Sequence, residues 1–185
     1  MRPFLLRRTA ELEFAPGAYV FPGGSVDARD ADPGVGWAGP GPGRFRRPAR
    51  RAAGPGPALV CAAVRETFEE SGVLLAGRRT TTLVRDSATL AADRHALLAG
   101  SASLTEVLAR RGLVLRTDLL TPWARWITPE ASPRRFDTWF FAAALPPGRY
   151  ASGAGGFRNH ADPANPSRGL AAPRVGAGGR PGRAR

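Results

Sequence analysis

Lysine and glutamine are absent from this chain of 185 residues, and cysteine and methionine occur once each. With Cys61 alone there is no internal disulfide and no cysteine-rich zinc cluster. No apolar run approaches the roughly 18 residues of a membrane-spanning helix. The longest runs, such as Trp139 to Leu145, have seven residues, and Phe4-Leu5-Leu6 is too short for a signal-peptide core. The expectation is a cytoplasmic enzyme or binding protein without a membrane partner. Acid is scarce too, with 15 Asp and Glu against 27 basic residues, a formal charge of +12. All of those cations are arginines, a bias that genome composition produces as readily as selection for an anionic partner. A basic surface favours phosphates of any kind without choosing among them.

Glycine and proline, by contrast, are abundant at 23 and 18 residues, and they are unevenly spread. Residues 31–58 hold 13 of them in 28 positions, where neither a helical nor a strand period survives. Residues 149–185 form a Gly/Ala/Arg/Pro-rich tail. From Ala151 onward it has only Phe157, Leu170 and Val175 as large apolar side chains, too few to offset the entropy of ordering. Both stretches are expected to be disordered, the first as an insertion in a domain over 1–148.

Between them the patterns are readable. Pro3 to Arg8 reads as a short strand, and Tyr19-Val20-Phe21 as a strand running into the turn Pro22-Gly23-Gly24. Ala58 to Ser71 reads as a helix with Leu59, Val60, Ala63, Val64 and Phe68 at helical spacing, closed by Gly72. Val73-Leu74-Leu75 reads as a buried strand. Ser87 to Arg111 carries two helical patterns broken near Gly100-Ser101, and Arg135 to Leu145 a strand rich in Phe and Trp. Interleaved strands and helices give an α/β (α+β) class.

The sharpest local feature is Arg65-Glu66-Thr67-Phe68-Glu69-Glu70-Ser71-Gly72-Val73. Glu66, Glu69 and Glu70 stand at i, i+3 and i+4, so their carboxylates share one helix face. Such close anions repel unless something neutralises them, and a hard divalent cation with oxygen ligands does so. Arg65, four residues before Glu69, can pin that side chain. A solvated acidic patch is the bland alternative. The preceding Pro-Gly-Gly turn, whose backbone can approach a phosphate or metal, argues against it.

These residues resemble the Nudix box, G-x5-E-x7-R-E-U-x-E-E-x-G-U, with U an aliphatic residue. Thr67 stands at the first U, and Gly24 to Asp30 matches G-x5-E with Asp for Glu. Between Asp30 and Arg65 lie the 34 residues Ala31 to Val64, so the box carries an insertion. Phe21-Pro22-Gly23-Gly24, the inserted loop, Trp126-Ile127-Thr128-Pro129 and Arg134-Arg135-Phe136-Asp137-Thr138 together resemble one subgroup. It is the nucleoside diphosphate-linked moiety X motif 19 type, which is coenzyme A diphosphatase-like. The resemblance implies a mixed sheet sandwiched between helices, apparently truncated at the C-terminal side because the usual further strand and helix are not recognisable.

It also implies a Mg²⁺- or Mn²⁺-dependent hydrolase that cleaves a pyrophosphate bond in a small-molecule nucleoside diphosphate derivative. Glu66, Glu69 and Glu70 would hold the metal with the backbone at Gly24. Arg65 would orient the glutamates, and Glu66, Glu69 and Arg65 would make up the catalytic set. Asp30 would orient the loop. Coenzyme A-cleaving members often carry L-L-T-x-R-S-x-x-L-R-x-x-x-G-E-V ahead of the box. Here Arg8, Leu12 and Gly17 are in register with it, with Thr9, Glu13 and Ala18 at variant positions. That points to coenzyme A or an acyl derivative, with Arg8 and Arg135 as substrate-binding residues.

Several residues keep open readings. Arg134-Arg135-Phe136-Asp137 forms either a polar bend or a phosphate grip. Trp123 and Trp126 read as core or rim aromatics, with base stacking the alternative. Cys61 reads as a buried inert thiol, and His95 and His160 suggest no metal site. Arg44-Phe45-Arg46-Arg47 and Arg50-Arg51 form a solvated loop or, with the tail, a weak nucleic-acid arm. A truncated, weakly active or inactive domain that binds nucleotide or nucleic acid is the alternative function. The oligomeric state is left open.

Overall fold

A computed structural model describes residues 5–8, 10, 16–41, 56–78, 83–84, 88–132 and 135–143, and the backbone of two later strands, 157–159 and 170–177. The architecture is a mixed α+β one, in agreement with the class read from the sequence. Leu6–Arg8 (β1) pairs antiparallel with Tyr19–Val20 (β2), Leu6 opposite Val20. Trp37–Ala38 (β3) runs parallel to Val114–Arg116 (β5), which pairs antiparallel on its other side with Ala76–Gly77 (β4). Leu120–Ile127 (β6) and Asp137–Ala143 (β7) form the long hairpin.

Pro57–Ser71 (α1) is the helix around which the core is built. Proline in its first turn is tolerated because that N–H lacks an intrahelical partner. Gly72 ends it at φ +74°, a conformation that favours glycine, and donates its N–H to the Phe68 carbonyl. Val60, Cys61, Ala62, Ala63, Val64 and Phe68 are all buried, so the helix is covered on more sides than one apolar stripe implies. Thr67, the polar residue at an aliphatic box position, is also fully buried and satisfies its hydroxyl on the Ala63 carbonyl at 2.7 Å.

Ala91–Leu98 (α2) and Leu104–Arg111 (α3) follow. Ser103 and Glu106 form a reciprocal capping box at the start of α3, and Gly112 closes it at φ +61°. Arg110 and Arg111 both reach back to Asp93 of α2, at 3.2 and 2.8 Å, locking the two helices together. Val73, Leu74 and Leu75 are buried as expected, but the strand itself begins at Ala76. The Leu75 carbonyl still accepts the Arg116 N–H and extends the pairing.

Both stretches read as disordered contain paired strands where residues are described. Within 31–58, Val35 is buried and Trp37–Ala38 makes a parallel pair with Leu115 and Arg116. Thr117 donates to the Ala38 and Pro40 carbonyls. Glycine and proline density hides such a strand, because its partner lies far away in sequence. Residues 42–55, with Arg44 to Arg51, lie outside the described residues. Within the tail, Phe157–Asn159 (β8) pairs with β1, and Leu170–Ala177 (β9) pairs with β7. Backbone ladders need no large side chains, so an edge strand can capture a Gly/Ala-rich segment. The ladder shifts register at Ala172 and Pro173, where proline has no N–H to donate. Arg134, His160 and the rest of the tail lie outside the described residues.

Candidate metal and diphosphate site

The last two turns of α1 carry Arg65, Glu66, Glu69 and Glu70, and the turn Pro22-Gly23-Gly24 lies against them. Gly23 donates its N–H to Glu70 Oε2 at 2.8 Å. Its φ of +151° is one that a side chain disfavours. A Cβ on Gly24 would lie 2.4 Å from Glu66 Oε1 and 2.6 Å from Oε2. Only glycine lets the chain come this close to the carboxylate.

Arg65 organises the cluster. Its Nε and Nη2 donate to Asp30 Oδ1 and Oδ2, both at 3.0 Å. Nη1 donates to Glu66 Oε1 at 2.9 Å and Glu69 Oε2 at 3.0 Å, and Nη2 also donates to the Ser25 carbonyl at 2.8 Å. These five bonds use all five N–H groups of the guanidinium. Burial alone would lower the Arg65 pKa; its hydrogen bonds to Asp30 and the surrounding carboxylates outweigh it and hold the cation well above its usual range. Asp30 itself is only 3% exposed and also accepts the Asp27 N–H at 2.8 Å, within a reciprocal capping box on the 3₁₀ turn Ala28–Ala31. The substituted box residue therefore joins the two halves of the box across the insertion.

Burial raises the pKa of both Glu66 and Glu69, more than Arg65 lowers it. Their anions are short of compensating charge. Arg94 of α2 donates Nε to the Glu69 carbonyl at 2.9 Å, and burial lowers its pKa. Sequence reading gave no signal for Arg94 or for the Ser25 carbonyl, because both act through backbone groups distant in sequence. The aspartate pair Asp27 and Asp30 did leave one, the capping-box spacing.

The remaining expected site residues lie elsewhere or stay undescribed. Arg135 is exposed at the base of the β6–β7 turn and donates Nε to the Thr128 carbonyl at 3.2 Å, the polar-bend reading rather than a bond to the glutamates. Arg8 contributes its backbone to β1, opposite Phe157, and its side chain lies outside the described residues. Cys61 is buried, and burial first of all pushes its thiol up to about 12. Trp123 and Trp126 are 69% and 67% exposed, which excludes the core reading.

The donor chemistry fits a hard cation: three carboxylates on one face, two of them raised by burial, beside a glycine turn with accessible backbone. Among the described residues no three acidic, His or Cys side chains are already gathered as a metal cage. Glu66 and Glu69 each give one oxygen to Arg65. Among the described residues no helix is long and apolar enough to cross a membrane.

Comparison with known proteins agrees with this geometry. The family model of the NUDT19 Nudix domain matches residues 45–149, which include the carboxylate helix but not the glycine turn. A Caenorhabditis elegans protein named nudix hydrolase 7 is 35% identical over 142 residues, covering 76% of this chain and 38% of the relative. The human acyl-coenzyme A diphosphatase NUDT19 is 32% identical over 181 residues, covering 78% and 48%. The chain thus spans about half or less of the length of these curated relatives. The crystal structure of a NUDIX hydrolase from Alicyclobacillus acidocaldarius superposes with a TM-score of 0.65 at 31% identity, over 85% of this chain and 68% of that one. Box, fold and relatives agree, and the chain belongs to the Nudix family, within its NUDT19-like branch.

Proposed function

We propose that this chain is a metal-dependent hydrolase that cleaves the pyrophosphate bond of a nucleoside diphosphate derivative, with coenzyme A or an acyl-coenzyme A as its substrate. The observation that carries this reading is the contact of the Gly23-Gly24 turn with the glutamate face of α1. Glu66, Glu69 and Glu70 would hold Mg²⁺ or Mn²⁺, with backbone at Gly24 beside them. When bound, such a cation neutralises the diphosphate, lowers the pKa of an attacking water and stabilises in-line displacement at phosphorus. Arg65 is a positioning residue: held by Asp30, it fixes Glu66 and Glu69 in place. The coenzyme A assignment rests on the partial motif around Arg8 and on the names of the NUDT19 relatives, and Arg8 and Arg135 remain its proposed substrate contacts.

The test is a hydrolysis panel of coenzyme A, an acyl-coenzyme A, ADP-ribose, NADH and dinucleoside polyphosphates, with and without divalent metal. Metal-dependent cleavage of coenzyme A ahead of the others is expected. Cleavage of another panel member would keep the chemistry and replace the substrate. No turnover by a folded sample, with nucleotide or RNA retained through arginine, would favour the binding-module alternative.

A further inference from the structure

The outer face of the β6–β7 ribbon adjoins the candidate site. Residues paired across an antiparallel ladder share a face, so Ala124 opposite Phe140 and Trp126 opposite Thr138 place these four on one side. The opposite side carries Phe141 and Ala143 into the core. On the outer side the Phe140 ring meets Phe21 edge to face, with centroids 6.2 Å apart and planes at 80°. Phe21 leads directly into Pro22-Gly23-Gly24, the turn that holds Glu70 and abuts Glu66. Ala124 leaves room between Phe140 and Trp126, which sit diagonally across the ladder at a spacing of roughly 7–8 Å, within reach of aromatic rings.

Phe21, which precedes the glycine turn, thus meets Phe140, and Trp126 lies on the same side of the ribbon with its indole 67% exposed, while its ladder partner Thr138 is buried. A flat apolar surface that ends at a candidate diphosphate site has the layout of a nucleotide, with phosphates at one end and a planar base at the other. Stacking on such a surface is tolerant of base identity, because every base has a π-face. Resting on the proposed function, we propose that Trp126 stacks on the base of the substrate, with Phe140 and Phe21 forming the inner end of the platform. Trp123, as exposed as Trp126, sits at the register shift between Pro122 and Ala124, has no partner in the ladder, and serves as the comparison.

The experiment compares KM and kcat for coenzyme A and for a dialkyl diphosphate that lacks a base, in wild type and in Trp126→Ala, Trp126→Phe and Trp123→Ala. Trp126→Ala should raise KM for coenzyme A roughly tenfold, leave KM for the base-free diphosphate unchanged, and be largely rescued by Trp126→Phe. An unchanged coenzyme A KM in an active enzyme overturns the inference and leaves the proposed function standing. The same loss in Trp123→Ala also overturns the assignment to Trp126. If the wild type hydrolyses nothing, the proposed function fails, and indole fluorescence in EDTA decides the inference alone. Quenching by AMP that persists in Trp123→Phe and vanishes in Trp126→Phe supports it, and absence of quenching overturns it. A dimer in sedimentation that Trp126→Ala dissociates would show that a second copy covers this face, and would overturn it as well.

Discussion

Two of the five hydrogen bonds made by Arg65 go to Asp30, and the other three fix Glu66, Glu69 and the Ser25 carbonyl. Asp30→Asn keeps the size of the side chain but removes one of the three carboxylates that neutralise a buried guanidinium, the one bound through two hydrogen bonds. A loss of about 3 kcal/mol is expected in denaturant unfolding, together with a fall in kcat, since Arg65 is no longer held rigidly against Glu66 and Glu69. Glu69→Gln separates function from stability. It should weaken Mn²⁺ binding sharply, as followed by electron paramagnetic resonance, while helical circular dichroism stays unchanged; equal affinity would remove the basis for the site. The glutamate triplet was legible in the sequence because helical spacing alone places it on one face. The bidentate grip of Asp30 was only partly legible, since an insertion separates it from Arg65 and an aspartate stands where the box has glutamate. The bond from Arg135 to the Thr128 carbonyl was not legible, because a run of charges says nothing about which carbonyl the hairpin brings to it.

At the level of elements, α1 was the easiest to read and β3, β6, β8 and β9 the hardest. The signals of α1 are local: apolar spacing, an early proline and a closing glycine. The period of β6 is broken by Pro122 and the register shift beside it, and most of its residues are exposed. The pairing of β3 exists only because β5 reaches it, and its far end is held by the 3₁₀ turn Thr117–Leu119. In that turn, Arg116 grips Asp118 through Nε and Nη2, at 2.8 and 2.7 Å, and this hydrogen bonding holds the carboxyl below its usual range. A lowered folded-state pKa means stability that is present above the unfolded Asp value and lost as pH falls through the folded one. Asp118→Asn should therefore cost about 2 kcal/mol at neutral pH, and its gap to wild type should close as the solution becomes strongly acidic. A gap that persists at low pH would show that the ion pair is not its source. For the glycine turn, Gly24→Ala should lower Tm modestly, because the added Cβ must displace the Glu66 carboxylate from its bond to Arg65 without moving backbone. It should depress metal-dependent activity strongly; unchanged Tm with retained activity would contradict this contact.

Across the whole molecule, the box segments hold together although they are separated in sequence. Ser25, directly after the glycine turn, the capped 3₁₀ turn at 28–31 and the end of α1 meet at one guanidinium, with the inserted segment leaving between the second and third. This explains how the family pattern survives an interruption: the essential contacts are between ends, and a connecting loop adds a closure entropy that grows only slowly with its length. The class of fold was legible because helical and strand periods alternate. The three small sheets among the described residues were not, because pairing between distant strands leaves no period in either one. The most direct measurement is coenzyme A hydrolysis by wild type and Glu66→Gln, each assayed in EDTA and again after Mg²⁺ is restored. The expected result is turnover by the wild type that vanishes in EDTA and returns with Mg²⁺, and no recovery in Glu66→Gln at unchanged fold. Hydrolysis that persists in EDTA, or that Glu66→Gln retains in full, would contradict a metal-dependent site on the glutamate face of α1.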